Sequence, residues 1–258
     1  MPFAFDVSGN YKTFWDAFVP PGNQACYEVP EAWRGRMDAV LSFFALEHVA
    51  DPLAFARTVV ALLKPHGRLH LVFPNPRRNP GDLIVADHIN HFMPTSIELL
   101  LTLAGCTDIT IDDTSHTAAY VVEAVRSDPH TAAAPPAADV AAFVDEAQRN
   151  AAFWSDARER VERFERNEAK GRRAVIYGSG FYGVFIASAL RELSSVSCFL
   201  DRNPHQQRKR PLGKDVKPPE AIEPSDEVVY VGLNPLRAGA IIADVAPLHS
   251  QPRRFFFL

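Results

Sequence analysis

Short apolar runs rich in β-branched and aromatic residues alternate with helix-like stretches along most of this chain. Such alternation favours an α/β fold built on a largely parallel sheet. In the first half, strands are predicted at Phe3–Asp6, Ala25–Val29, Ala39–Phe43, Arg68–Phe73, Asp108–Asp112 and Tyr120–Val125. The helices between them are predicted at Lys12–Phe18, Pro52–Leu63 and Pro94–Ala104.

A Pro/Ala-rich stretch at residues 127–137 separates this half from the rest of the chain. A helical pattern with a charged outer face follows from about residue 138 to residue 169, and we interpret it as a helix that docks between two domains. We therefore predict a first domain at 1–127, a linker and connecting helix at 128–170, and a small Rossmann-like α/β domain at 171–258.

Composition excludes several classes of protein. The chain has 258 residues and a net charge of −4, which disfavours a dedicated nucleic-acid binder. No apolar run approaches the roughly 20 residues that span a bilayer, and the N-terminus lacks the pattern of a secretion signal. Three widely spaced cysteines predict neither a disulfide framework nor a metal site. We therefore expect a cytoplasmic protein without a membrane or nucleic-acid partner, and the sequence leaves its oligomeric state open.

The most informative motif is the run from Asp38 to Pro52, DAVLSFFALEHVADP. It resembles the fourth strand and following turn of class I S-adenosylmethionine (SAM) dependent methyltransferases. The passages LLKPHGRLHLVFPN at 62–75 and DHINHF at 87–92 resemble the family's next two motifs, in the same order. Three motifs in register over about 70 residues make this resemblance specific. It implies a Rossmann-type sheet, SAM as cofactor and a small-molecule methyl acceptor.

The resemblance also suggests which residues contact the cofactor. Asp6 lies 32 positions before Asp38, an interval that holds a helix, a strand and loops. Asp6 is therefore placed after the second strand of the family, where an acid accepts hydrogen bonds from the ribose hydroxyls. On this alignment Glu28 lies near the adenine, and Ser42 and Phe43 form a wall of the cofactor pocket.

The same alignment leaves the family's first strand and its glycine-rich cofactor loop without a counterpart. We expect either that the chain is a truncated reading frame or that the sheet closes without that strand. Normal affinity for SAM is therefore not expected from this chain by itself.

On the acceptor side, histidine is suited to act as a general base near neutral pH. His88, preceded by Asp87, follows the strand after which acceptors bind in this fold, so both residues are candidates for catalysis. The alternative for His88 is a structural or substrate-orienting role. Glu47 and His48 are weaker candidates, and His91 is given no function.

The second domain carries Gly178-x-Gly180-x-x-Gly183 between a strand and a helix, and Asp201 closes the next strand. This context is typical of nucleotide-binding turns, in which glycines let the backbone approach a phosphate. Together with the runs FLDRNPH at 199–205 and VYVGLNP at 229–235, it resembles the C-terminal domain of sugar C-methyltransferases. The family's zinc-binding head is absent from this sequence, and its Tyr-x-Glu-His segment is replaced by Val85-Ala86-Asp87-His88.

The sequence therefore predicts a SAM-dependent methyltransferase-related protein with a nucleotide sugar or similar small acceptor. Two alternatives remain open at this stage. One is a non-catalytic protein that binds a nucleotide sugar or a partner, and the other is an NAD(P)-binding oxidoreductase that uses the second domain.

Overall fold

The computed structural model describes residues 1–127 and 140–258, so the predicted connector at 127–137 lies, apart from Ser127, outside the described residues. By packing, the described chain forms two compact units. The first contains residues 1–73 and 92–127, and the second contains residues 74–91 and 140–258. Both are mixed α/β, which confirms the predicted fold class.

The first unit is built from strands and three helices near their predicted positions, but the strand predicted at Arg68–Phe73 begins five residues earlier, at Leu63, and the helix predicted at Lys12–Phe18 ends at Trp15. Its strands are β1 Ala4–Asp6, β2 Gln24–Cys26, β3 Met37–Phe43, β4 Leu63–Pro74, β5 Cys106–Asp112 and β6 Ala119–Arg126. Its helices are α1 Lys12–Trp15, α2 Pro52–Leu62 and α3 Pro94–Leu103.

These strands form two separate sheets. One sheet has the order β3-β4-β6-β5, with β3 parallel to β4 and β5 antiparallel to β6. The other is the parallel pair β1-β2, in which Asp6 lies opposite Cys26. Within the part of the chain that the structure describes, β1 and β3 each pair with another strand on one side only.

Alternation of buried residues along β4 fixes the core of the first unit. Leu69, Leu71 and Phe73 are at most 2% exposed and pack in one cluster with residues of α2 and α3. Full burial of each such side chain contributes about 1.5–3 kcal/mol. Helix α3 is capped at its start, where the Ser96 hydroxyl accepts the backbone N–H of Met93 at 2.9 Å.

The second unit is a parallel five-stranded sheet in the order β11-β10-β7-β8-β9. Its strands are β7 Arg173–Tyr177, β8 Val196–Leu200, β9 Val216–Lys217, β10 Asp226–Val231 and β11 Arg254–Phe257. Its helices are α4 Val140–Phe164, α5 Phe181–Ala189 and α6 Pro235–Ala243. Alternate residues of β7 enter different hydrophobic clusters, so both faces of the sheet are covered. The strand order reverses between β7 and β10, and such a switch point is where open α/β sheets bind ligands.

The apolar runs at 173–177, 196–200 and 254–257 each predict a strand, and β7, β8 and β11 have these bounds. Strand β2 ends at Cys26 rather than at the predicted Val29, because Tyr27 has a φ of 70° and leaves the extended conformation. The amphipathic pattern after the glycine-rich turn predicts a helix to about Leu193, whereas α5 ends at Ala189. Among the described helices, none is both long and apolar enough to cross a membrane.

The three cysteines are free thiols that differ in burial. Burial raises the pKa of Cys106 to about 11 and raises the pKa of Cys198. Because the thiolate is the reactive form, iodoacetamide at pH 8 should label the half-buried Cys26 first. Peptide mapping of the native protein checks this expectation, with a denatured sample as the control in which all three react. Equal labelling of Cys106 in the native protein would contradict it.

Candidate functional site

The predicted cofactor acids Asp6 and Glu28 lie at the same end of the β1-β2 sheet. One carboxylate oxygen of Asp6 accepts the backbone N–H of Ser8 at 2.7 Å and the Ser8 hydroxyl at 2.6 Å. The N–H of Tyr27 donates to the Asp6 carbonyl at 3.0 Å, which ties the carboxyl ends of β1 and β2 together. Glu28 follows directly and is exposed. The structure thus brings these two predicted residues to one edge, with the Asp6 carboxylate oriented by Ser8.

Ser42 and Phe43 lie at the carboxyl end of β3. Ser42 is half-buried, whereas the Phe43 side chain is 61% exposed. The strand ends there because Phe44 adopts a φ of 48°. In the next turn Glu47 is buried and lies 3.9 Å from Nε2 of His48.

Residues 74–91, here called the His88 segment, belong to the second unit and form successive turns. The carbonyl of Asn75 accepts the N–H groups of Arg78 and Asn79, at 3.0 and 2.9 Å. The N–H of Asp82 then donates to the Asn79 carbonyl at 2.9 Å. These local bonds satisfy part of the backbone of residues 75–91, which form turns and a short 3-10 helix at Pro80–Ile84.

Asp82 contacts both histidines of this segment, and sequence analysis did not identify it as a candidate site residue. Its side chain is 1% exposed, and its two oxygens lie 2.7 Å from Nδ1 of His88 and 2.7 Å from Nδ1 of His91. A carboxylate in its ionised form only accepts hydrogen bonds, so with that form of Asp82 each ring would donate from Nδ1. In a neutral ring the basic lone pair is then on Nε2.

The structure therefore pairs His88 with a different acid from the one that the sequence suggested. Asp87, the predicted catalytic neighbour, is exposed, whereas the carboxylate at Nδ1 of His88 is that of Asp82. His91, to which no function was assigned, shares that carboxylate. In the sequence, this arrangement was indicated only by the closeness of Asp82, His88 and His91 in one short run. The turns of the segment bring the three side chains into contact.

The glycine-rich turn after β7 has the geometry of a nucleotide-binding turn. Gly178 has a φ of 92°, which favours glycine, and Gly183 packs against the Gly178 carbonyl, where a β-carbon would lie only 1.9 Å away. Apart from Gly180 itself and its two chain neighbours, no atom of the described residues lies within 4 Å of a β-carbon built on Gly180. These three positions match the roles of glycines in such turns: a tight bend, room for a phosphate, and close packing of helix on strand.

Asp201, at the end of β8, is hydrogen-bonded to the same turn. One of its carboxylate oxygens accepts the N–H of Ser179 at 3.0 Å and the Ser179 hydroxyl at 2.8 Å. The other accepts the N–H of Asn203 at 2.9 Å. The predicted residues of the second domain are therefore brought together.

The His88 segment is fixed by side chains at the carboxyl ends of β7 and β10. The Tyr182 hydroxyl donates to Oδ1 of Asn79 at 2.7 Å and accepts the N–H of Gly81 at 2.8 Å. Nδ2 of Asn234 donates to the Arg78 carbonyl at 2.6 Å. Burial raises the pKa of Tyr182 to about 12, so its hydroxyl stays protonated across the physiological range. Sequence analysis had not identified Tyr182 or Asn234.

Comparison with known proteins bears on the first unit and the His88 segment. Residues 10–111 match the family model of a methyltransferase domain, which confirms the resemblance to methyltransferases for that region. The search of curated proteins returned no match.

The matching solved structures are distant from this chain in sequence. A Bordetella parapertussis protein is 17% identical, with a TM-score of 0.37, over 49% of this chain and 53% of its own. A SAM-dependent methyltransferase from Mesorhizobium loti is 15% identical, with a TM-score of 0.38, over 47% and 78%. A Haloferax volcanii complex of the Trm112 methyltransferase activator with its partner is 13% identical, with a TM-score of 0.40, over 49% and 72%. This chain thus spans about half the length of the Bordetella protein.

The glycine geometry predicts opposite outcomes for two substitutions in one turn. Gly183→Ala places a methyl group against the Gly178 carbonyl and should lower the free energy of unfolding by about 3 kcal/mol. Gly180→Ala meets open space and should leave stability within about 0.5 kcal/mol. Urea unfolding followed by circular dichroism measures both, and equal stability of the two variants would contradict the packing described.

Proposed function

We propose that this chain is a SAM-dependent methyltransferase-related protein that acts on a small acceptor, with a nucleotide-linked sugar as the acceptor class. The observation that carries the proposal is the match of residues 10–111 to a methyltransferase domain, a region that includes both Asp6's partner strand and the His88 segment. A cytoplasmic setting belongs to the same proposal.

On the donor side, Asp6 and Glu28 hold the nucleoside of SAM, and Ser42 and Phe43 contribute the pocket wall. The position of Asp6 supports this role, because a half-buried carboxylate after a parallel strand can accept the two O–H groups of a ribose diol. The two bonds from Ser8 restrict its rotation and so reduce the entropy lost on binding.

On the acceptor side, His88 would take the proton of the acceptor's nucleophilic group. SAM, when bound, would supply the methyl group and be left as a thioether. The bond from Nδ1 to Asp82 supports this role, since it keeps Nε2 as the basic nitrogen and stabilises the imidazolium that forms. We retain Asp87, exposed beside His88, as a polar contact for the acceptor.

In the second unit, Gly178, Gly180, Gly183 and Asp201 form the nucleotide site of this proposal. The open space at Gly180 is where a diphosphate would approach the start of α5. The turn and the imidazole pair belong to one unit and are linked through Tyr182, which supports a single ligand with its phosphates at the turn and its sugar toward His88.

Binding of SAM is expected to be weak. The β1-β2 pair that carries Asp6 does not join the sheet that contains β3, so the described strands supply no continuous edge for the cofactor. A dissociation constant below about 1 μM, measured by calorimetry, would contradict this expectation.

Asp6→Asn tests the donor side. Loss of the charge weakens both bonds to the ribose, so ligand-detected NMR should show affinity for SAM lowered by about tenfold. Asp38→Asn is the matched control. Asp38 lies at the amino end of β3, where its carboxylate pairs with Lys64, so this variant should bind SAM like the parent protein. Equal binding by parent and Asp6→Asn would rule out the ribose contact.

Gly180→Val tests the nucleotide site without destabilising the fold. The added side chain occupies the space at the turn, so binding of UDP-glucose should be lost while stability is retained. Gly239→Ala, at another open position in α6, is the control. Calorimetry with UDP-glucose, NAD and SAM also separates the functions: NAD binding alone would favour an oxidoreductase, and nucleotide sugar without SAM would favour a non-catalytic binder.

A further inference from the structure

Tyr182 occupies an unusual position, inside the glycine-rich turn and bonded to the His88 segment. It is one of the two residues between Gly180 and Gly183, and it is 8% exposed. Its ring stacks on the indole of Trp154, with 6.0 Å between centroids and an interplanar angle of 14°. Its hydroxyl uses its donor on Asn79 and accepts from Gly81, so the group is satisfied in both directions.

The residues that surround this contact leave the segment little freedom. A β-carbon on Gly81 would lie 2.8 Å from the Tyr182 hydroxyl oxygen, so glycine is required for the approach. Nε1 of Trp154 donates to the Pro80 carbonyl at 2.6 Å. Successive residues 78–81 are thus each held by a side chain of the glycine-turn region or of its neighbouring helices.

Asp82 follows Gly81 directly and takes its position from it. A shift of the Gly81 backbone moves the Asp82 carboxylate, on which both imidazoles depend for their Nδ1 partner. Bonds of 2.7 Å to a buried charge weaken steeply with a change in distance or angle. The tautomers of His88 and His91 are therefore sensitive to whatever fixes Gly81.

We infer that Tyr182 is a positioning residue, which acts through Gly81 and Asp82 to hold His88 and His91 as a pair with protons on Nδ1. This inference rests on the proposed function, in which His88 serves the acceptor. It gives the second unit a role beyond nucleotide binding: the turn that would receive the phosphates also fixes the base.

Tyr182→Phe isolates the hydroxyl, because the ring that stacks on Trp154 is retained. The N–H of Gly81 then loses its acceptor, and its hydrogen exchange should accelerate by about tenfold. The ¹⁵N shifts of the His88 and His91 rings should move toward a mixture of Nδ1–H and Nε2–H tautomers. Tyr230→Phe, at another buried tyrosine of the same unit, is the matched control and should leave these shifts unchanged.

Asp82→Asn provides a second test that does not depend on Tyr182. The amide offers one accepting oxygen in place of two, so one of the two rings should change tautomer. Unchanged ring shifts in Tyr182→Phe, with unchanged exchange at Gly81, would overturn the inference. Neither measurement needs SAM or an acceptor, so the inference about Tyr182 can be tested independently of the proposed function. The proposed function is tested by a methyl-transfer assay on His88→Ala.

Discussion

The backbones of Gly178, Gly183 and Gly232 meet at the carboxyl ends of β7 and β10, and the rest of the second unit's site depends on that approach. A β-carbon on Gly232 would lie 2.3 Å from Cα of Gly183, and one on Gly178 would lie 2.4 Å from the Gly232 carbonyl oxygen. Helix α5 therefore begins directly on the sheet, at its topological switch point. Only from this position does Tyr182, adjacent to Gly183, reach Gly81 with its hydroxyl.

Local patterns predicted most elements because burial alternates along short strands and caps end the helices. The bounds of β7, β8 and β11 followed from apolar runs, and Gly105, with a φ of 91°, directly follows the helix predicted at 94–104. The same reasoning missed the end of β2, where the chain turns at Tyr27, with a positive φ that is usually found at glycine. Positive φ at a bulky residue is set by neighbouring contacts, here the bond from its N–H to the Asp6 carbonyl, and no local pattern encodes it.

The His88 segment shows where sequence reasoning reaches its limit. The predicted boundary at 127 assigned residues 74–91 to the first domain, whereas by packing they belong to the second unit. The cause is a set of bonds from side chains far away in the chain, such as those of Asn150 to Pro76 and Asn234 to Arg78. Single amides and hydroxyls that bind a backbone 70 or more residues away leave no periodic signal.

The buried carboxylate of Asp82 explains why two histidines that lie three residues apart can act as one unit. A buried charge is costly unless it is paired and hydrogen-bonded, and here both of its oxygens accept from imidazoles. Because one carboxylate partners both rings, a displacement of Asp82 changes the hydrogen bonds of both histidines. In the proposed function His88 is the base, and the carboxylate that orients its ring is also held by the ring of His91. The shared carboxylate gives His91 a structural role, as the second partner of Asp82, which the sequence by itself did not suggest.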